Sequence, residues 1–323
     1  MWRFLVARAS LLVVLVLAAS SAMVAVTSLA PGDVTTESAM FGATTAQVAR
    51  ERARLGLDRP ALERYGLWLG RTLRLDFGTS FRYGQPVASL VAARAGHSAL
   101  LAGVALICAV AIGLPAGILS GSGRFPRTAA VVAGVSLVLL SLPPLLVAVL
   151  LTFVAARTGW APTSGMQSAG ADAWGTGARI LDVAWHLVVP VLALGLPLAA
   201  SFERVQQAAA ADGAGARHAL AASARGVGLA RWLWRALWRP TASPVVSVFG
   251  LAAGTLLSGA LAVELVTAWP GLGRLMFEAL ATRDTPLAAG CGAAAAAFLA
   301  IWTTLGDLAA WWLDPRLRPE AGR

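Results

Sequence analysis

Six stretches of the chain are almost uninterruptedly apolar, and polar stretches carrying arginine separate them. Each is close to the roughly 20 residues that a helix needs to cross a bilayer. The predicted spans are Ser10–Ala30, His97–Ser120, Thr128–Ala155, Trp185–Phe202, Ala242–Val266 and Pro286–Leu313. Pro115, Pro143, Pro144, Pro190 and Pro197 fall inside them. Each removes a backbone hydrogen bond and predicts a kink, tolerated where neighbouring helices or a cavity satisfy the freed carbonyl. The first run follows Arg3 and Arg8 and contains Ser-Ala-Met-Val-Ala, which resembles a signal-peptide cleavage site. Its uninterrupted length to Leu29 favours an uncleaved span.

The polar stretches have patterns of their own. In 31–96, Thr44 or Thr45 can cap a helix running to Leu55, with Gly56 at its C-terminal end. Asp58 is placed to cap a second helix, with Pro60 in its first turn. There Leu62, Tyr65, Leu69 and Leu73 recur at helical spacing and make one apolar face. The run Asp76–Phe81 reads as a loop. This insertion is either a docking or gating surface or a cap over the helix ends. In 203–241, Gly213 and Gly215 predict a break, Arg217–Arg225 a short Ala-rich helix, and Gly226 its stop. A second helix, rich in Trp and Arg, is predicted from Leu229 towards Pro240, with a composition that suits a membrane surface. The alanines and the turn suggest either a surface for close packing against another protein or a solvated basic loop.

Composition sharpens this picture. The chain is 58% hydrophobic and only 13% charged over 323 residues, against about 25% charged in a soluble domain. All 26 basic residues are arginine. Without lysine there is no Walker A phosphate loop of the usual kind, and no Schiff-base chemistry. With the N-terminus inside, the segments 1–9, 121–127, 203–241 and 314–323 hold thirteen arginines, and the two short outer loops hold four. Nine more lie in 31–96, which is long enough to be largely exempt from the positive-inside rule. Both termini are therefore expected on the cytoplasmic side, and the net charge of +10 belongs to topology rather than to nucleic-acid binding.

Candidate chemistry is sparse. His97, His186 and His218 are far apart and form no metal-ligand pair, and Cys108 and Cys291 sit in apolar runs. Neither catalytic nor metal-binding residues are predicted. Glu264 and Asp307 lie within predicted spans, where carboxylates are costly and usually face a bundle interior. They read either as pathway or gate residues or as partners of arginines, Glu264 with Arg274 or Arg283 and Asp307 with Arg316 or Arg318.

The segment Ala222-Ser223-Ala224-Arg225-Gly226-Val227 resembles the EAA loop of ABC importer permeases. It is similar to the form found in the first permease subunit of dipeptide, oligopeptide and nickel importers. Other segments agree in order along the chain. Leu29–Asp33, Leu55–Pro60, Asp76–Ser80, Ile112–Gly117 and Pro162–Gly165 resemble the family's motifs. So do His186 with Pro190, Glu264 with Trp269–Gly273, and Asp307 with Asp314–Arg318.

The resemblance implies an all-α polytopic membrane protein like the type I importer permeases. It would comprise a first span (1–30), an external insertion (31–96), a five-helix core with its coupling loop (97–313, loop 203–241) and a cytoplasmic tail (314–323). It implies a second homologous permease, two cytoplasmic ATPase subunits that use ATP and Mg, and an external solute-binding protein. Ala222, Ala224, Arg225 and Gly226 inherit the ATPase contact by position. Where the family commonly has an acidic residue just before the coupling helix, this chain has Arg217 and His218, and further upstream Gln206 and Gln207 replace arginines. Peptides are the expected cargo. Nickel or another small solute is the alternative, and an ATP-independent secondary transporter lies further off. No internal repeat and no chain of ionisable residues in the spans supports the last.

Overall fold

The computed structural model describes residues 2–36, 43–241 and 243–313. Its helices are α1 (Trp2–Leu29), α2 (Thr45–Arg54), α3 (Ala61–Thr72), α4 (Val87–Gly121), α5 (Pro126–Ser141) and α6 (Pro144–Thr158). There follow α7 (Thr176–Ala214), α8 (Arg217–Ala224), α9 (Leu229–Arg231, Trp232–Trp238 and Arg239–Thr241 in succession), α10 (Ser243–Val266), α11 (Leu272–Ala281) and α12 (Thr285–Leu313). The predicted tail motif Asp314–Arg318 lies outside the described residues.

Among the described residues five helices are long and apolar enough to span a membrane, and α5 with α6 makes a sixth only as a broken span. The single span expected over Thr128–Ala155, with a kink at Pro143 and Pro144, is two helices meeting at 103°. The cause is the proline pair. Leu142 is extended (φ −100°, ψ 119°) ahead of Pro143, and Pro144 opens the next helix. A residue before proline avoids the helical region, and two successive prolines supply no N–H to the preceding turn.

The fourth predicted span lies within a longer helix. α7 runs for 39 residues, about 58 Å at 1.5 Å per residue, and continues past Phe202 to Ala214. Gly213 lies inside the helix and the break comes at Gly215. Ala is the best helix former, and the run Ala208–Ala211 carries the helix on.

The chain forms two compact units. One comprises Met1–Ser98 and Pro270–Ile301. Its core joins Val87, Leu272, Leu275, Leu287 and Cys291, with Met23 and Phe77 against them. The small residues of α12 allow this packing, since a Cβ on Gly292 would lie 2.8 Å from Met23 Cγ. Thr44, one of the two caps expected, forms a reciprocal capping box with Gln47 at the start of α2. α3 begins one residue after Pro60, with no side-chain cap, so Asp58 does not take the capping role expected of it.

The other unit comprises Ala99–Trp269 and Trp302–Arg323. α7 is its centre, packed by α5, α6 and α10. Against α4 the approach is closest: a Cβ on Gly113, Gly117 or Gly121 would lie 2.4, 2.7 or 2.3 Å from the nearest α7 atoms. On the far side Val131, Val135, Val138, Leu145, Val149 and Phe153 are exposed. A surface of that kind belongs against lipid tails.

Candidate functional site

α8 is built of residues that form a helix easily but supply little side chain, Arg-His-Ala-Leu-Ala-Ala-Ser-Ala. Its stop is a Schellman arrangement: the Gly226 N–H donates to Ser223 O (3.0 Å) and the Val227 N–H to Ala222 O (3.2 Å). Gly226 takes the left-handed conformation this requires (φ +69°).

The helix has two faces. Ala219 and Ala222 are buried with Trp232 and Leu237. Leu220, Ala221, Ala224, Arg225 and Gly226 are exposed. Of the four residues the sequence assigned to partner contact, three therefore face outward and Ala222 packs inward.

Three fasteners hold the inner face. The Trp232 indole N–H donates to Ala219 O at 2.9 Å. The Arg124 guanidinium lies 4.3 Å from the centre of the same indole and donates to Ser223 Oγ at 2.9 Å. His218 Nε2 lies 3.0 Å from Ala236 O. Since a carbonyl only accepts, that nitrogen carries the proton. Pro240 has no N–H to give Ala236 in a helical register, and His218 supplies the missing donor. A carboxylate at position 218 could not. This gives the departure at His218 a structural role.

α9 differs from the regular helix expected. Its middle, Trp232–Trp238, is wound as a π-helix, and Trp232 is only 3% exposed while Trp234 is 61% exposed. Trp232 thus serves the packing of α8, not a membrane surface. From α9 the contacts run inward. Thr241 Oγ1 donates to Leu237 O at 2.8 Å and accepts from the Gln206 amide at 3.0 Å on α7. One turn earlier, Glu203 accepts from Ser120 of α4 at 2.8 Å. Glu203 and Gln206 are both buried. The sequence pattern missed Arg124, Ser120 and Glu203, because their partners are more than 80 residues away. The tryptophans of α9 were its only signal.

Elsewhere, Glu264 is completely buried near the end of α10, three residues before Thr267, whose carbonyl accepts the Gly165 N–H at 2.8 Å. That bond joins the motif at 162–165 to the segment preceding Trp269. Asp307 is half-buried on α12. Arg274, one expected partner of Glu264, pairs with Glu278 at 3.0 Å. The expected partners of Asp307, Arg316 and Arg318, lie outside the described residues.

Two more motif segments prove to be fasteners. Ser80 donates to the buried Asp284, which also accepts the N–H groups of Arg82 (2.9 Å) and Leu287 (3.1 Å). Nearby, Tyr83 Oη donates to Glu278 at 2.8 Å; burial and then that carboxylate raise the phenol above its usual 10. His186 Nδ1 donates to Asp182 O at 2.9 Å, and Asp182 accepts both the N–H and the hydroxyl of Ser168 at 2.7 Å. The serine meets the carboxylate and not the imidazole, which is not the Ser–His–Asp order of a hydrolytic triad.

A family model described as "Binding-protein-dependent transport system inner membrane component" matches residues 113–319. A Brucella ovis protein named as a peptide permease is 34% identical over 282 residues, 85% of each chain. The oligopeptide transport system permease protein OppB of Mycobacterium tuberculosis is 33% identical over 270 residues, 82% of each chain. The dipeptide transport system permease protein DppB of Escherichia coli is 30% identical over 286 residues, 82% of this chain and 84% of its own.

Proposed function

We propose, because this chain belongs to the family of binding-protein-dependent transport system inner membrane components, that it is a permease subunit of an ATP-driven importer of peptides. The observation that carries the proposal is α8, a short helix pinned on one face and bare on the other. Peptide as cargo rests on the relatives named for peptide, oligopeptide and dipeptide transport.

The bare face, Leu220, Ala224, Arg225 and Gly226, seats in a groove of a cytoplasmic ATPase subunit. Ala222 contributes from beneath by letting the helix sit close to Trp232. A second homologous permease completes the pathway, and a solute-binding protein delivers cargo from outside. ATP and Mg are bound by the ATPase pair and not by this chain. Both termini and α8 lie in the cytoplasm, in keeping with the arginine asymmetry.

Closure of the ATPase pair moves α8. The fasteners to Trp232 and Ala236 pass the motion to α9, the one to Arg124 passes it to the α4–α5 connection, and Thr241–Gln206 and Glu203–Ser120 pass it to α7 and α4. Only an ATPase state that binds α8 differently can shift the inward–outward equilibrium. Glu264 and Asp307 stand as candidate pathway or gate residues.

The test is uptake of labelled peptide by proteoliposomes holding the copurified complex. Uptake is expected to require hydrolysable ATP, and Gly226→Glu is expected to abolish it while leaving membrane insertion intact. Copurification of the chain without an ATPase, or undiminished uptake without ATP, would overturn the proposal.

A further inference from the structure

We propose that the segment between α1 and α4 carries a binding site for the headgroup of an anionic phospholipid. The site is a cavity of about 470 Å³, walled by the outer turns of α1 at Val24 and Ser28, by α3 and by the loops on either side of it. That volume falls within the roughly 300–1,000 Å³ typical of organic ligands.

Four arginines line it: Arg54, Arg59, Arg64 and Arg71. Three have carboxylates, namely Arg54 with Glu51 at 2.9 Å, Arg59 with Glu63 at 3.1 Å and Arg71 with Asp76 at a long 3.9 Å. Among the described residues Arg64 completes no ion pair. Its Nε and the indole nitrogen of Trp68, one turn on, are buried donors with no acceptor among the described residues. Buried donors are nearly always matched, and a guanidinium's strongest match is an oxyanion with two or three acceptor oxygens. The cavity therefore has one surplus positive charge, on a guanidinium whose buried edge is unmatched.

The placement of α3 identifies the source of that phosphate. Tyr65 Oη lies 3.0 Å from Ser21 Oγ, eight residues before the end of α1 at Leu29. At 1.5 Å per residue that is about 12 Å down the span. α3 therefore lies beside the last turns of a membrane helix rather than above them. The apolar face predicted from its sequence is open at Leu62 (82% exposed) and Leu73 (64% exposed). An amphipathic helix at that depth, with arginines beside uncovered leucines, has the form of an interfacial element. A lipid satisfies both halves, with its phosphate on Arg64 and its chains along the leucines. A free phosphate ion satisfies only the first.

The experiment uses the full chain in nanodiscs containing equal amounts of phosphatidylglycerol and phosphatidylcholine. After detergent exchange, native mass spectrometry counts the lipids retained. Phosphatidylglycerol is expected to be retained and phosphatidylcholine lost. Arg64→Gln should lower phosphatidylglycerol retention about fivefold, the contribution of one cationic side chain near an anionic surface, and Arg64→Lys should restore most of it. If Arg64→Gln does not elute as a folded species, Arg59→Gln removes another positive charge from the cavity lining and carries the same prediction. Equal retention of the two lipids, or equal retention by wild type and the glutamine variants, overturns the proposal. Arg64-dependent binding of inorganic phosphate without retained lipid overturns the lipid assignment and gives the site to the free ion.

Discussion

Replacing Trp232 by Phe keeps an aromatic ring beneath α8 but removes the side chain's only donor. The indole N–H to Ala219 O is a buried bond of 2.9 Å, worth about 1 kcal/mol net. The Arg124 guanidinium over the same ring binds a phenyl less well than an indole, a further loss of about 0.5 kcal/mol. Ala219 O keeps a place in the α8 ladder, so no larger desolvation penalty is added. The sum, about 1.5 kcal/mol, shifts the equilibrium between seated and unseated α8 by roughly tenfold. Hydrogen exchange on the full chain reports that equilibrium directly. Amides of residues 219–225 should exchange about ten times faster in Trp232→Phe, while those of α7 stay as they were. Transport should fall with assembly of the complex unchanged. Unaltered protection at 219–225 would refute the view that Trp232 seats this helix. Equal acceleration along α7 would show a general loss of stability instead.

Three further outcomes are expected. Gly226→Ala meets no neighbour within 4 Å but must hold φ +69°, so it should destabilise the end of α8 by about 1–2 kcal/mol, with Gly226→Asn milder; peptide uptake should fall in that order. Gly117→Leu drives a side chain into Gln206 Cβ and Glu203 O, each 2.7 Å from the first added carbon, whereas Gly103 has nothing within 4 Å; size-exclusion chromatography should show Gly117→Leu aggregated and Gly103→Leu monodisperse. Asp284→Asn weakens the acceptor for Ser80, Arg82 and Leu287, a loss of about 1–3 kcal/mol; limited proteolysis should cut within 76–86 faster than in wild type.

Much of this architecture can be read from the order of residues, because a bilayer leaves few solutions to an apolar run. The positions of α1, α4, α10 and α12 follow from length and hydropathy alone, and the stop of α8 from a glycine after an alanine run. Two elements extend or bend further than the pattern indicates, for local reasons. A proline pair is compatible with either a kink or a break, and hydropathy does not respond to a turn of 103° within an apolar sequence. The run Ala208–Ala211 is polar enough in its surroundings to resemble a loop, yet alanine continues α7. The site was half visible. Ala224, Arg225 and Gly226 followed from the motif, but which alanines turn inward depends on Trp232 and Arg124. A helix of eight residues has too little pattern to fix its own rotation. Ser80 with Asp284 and Ser120 with Glu203 join residues 204 and 83 positions apart, beyond any local pattern.

The glycines of α4 restrict how this protein can move. Gly113, Gly117 and Gly121 recur at four-residue intervals, and each faces α7 atoms that leave no room for even a methyl group. Two helices meshed this way behave as a rack and its teeth. They cannot glide past each other by fractions of an ångström, because every intermediate offset sets backbone against backbone. The pair either travels as one rigid beam or jumps a whole turn of about 5.4 Å. A pull arriving through Thr241 and Gln206 would then reach both helices at once and with little slack, so the hinges of any alternating motion belong elsewhere. The 103° break between α5 and α6 is a place where the chain is already bent.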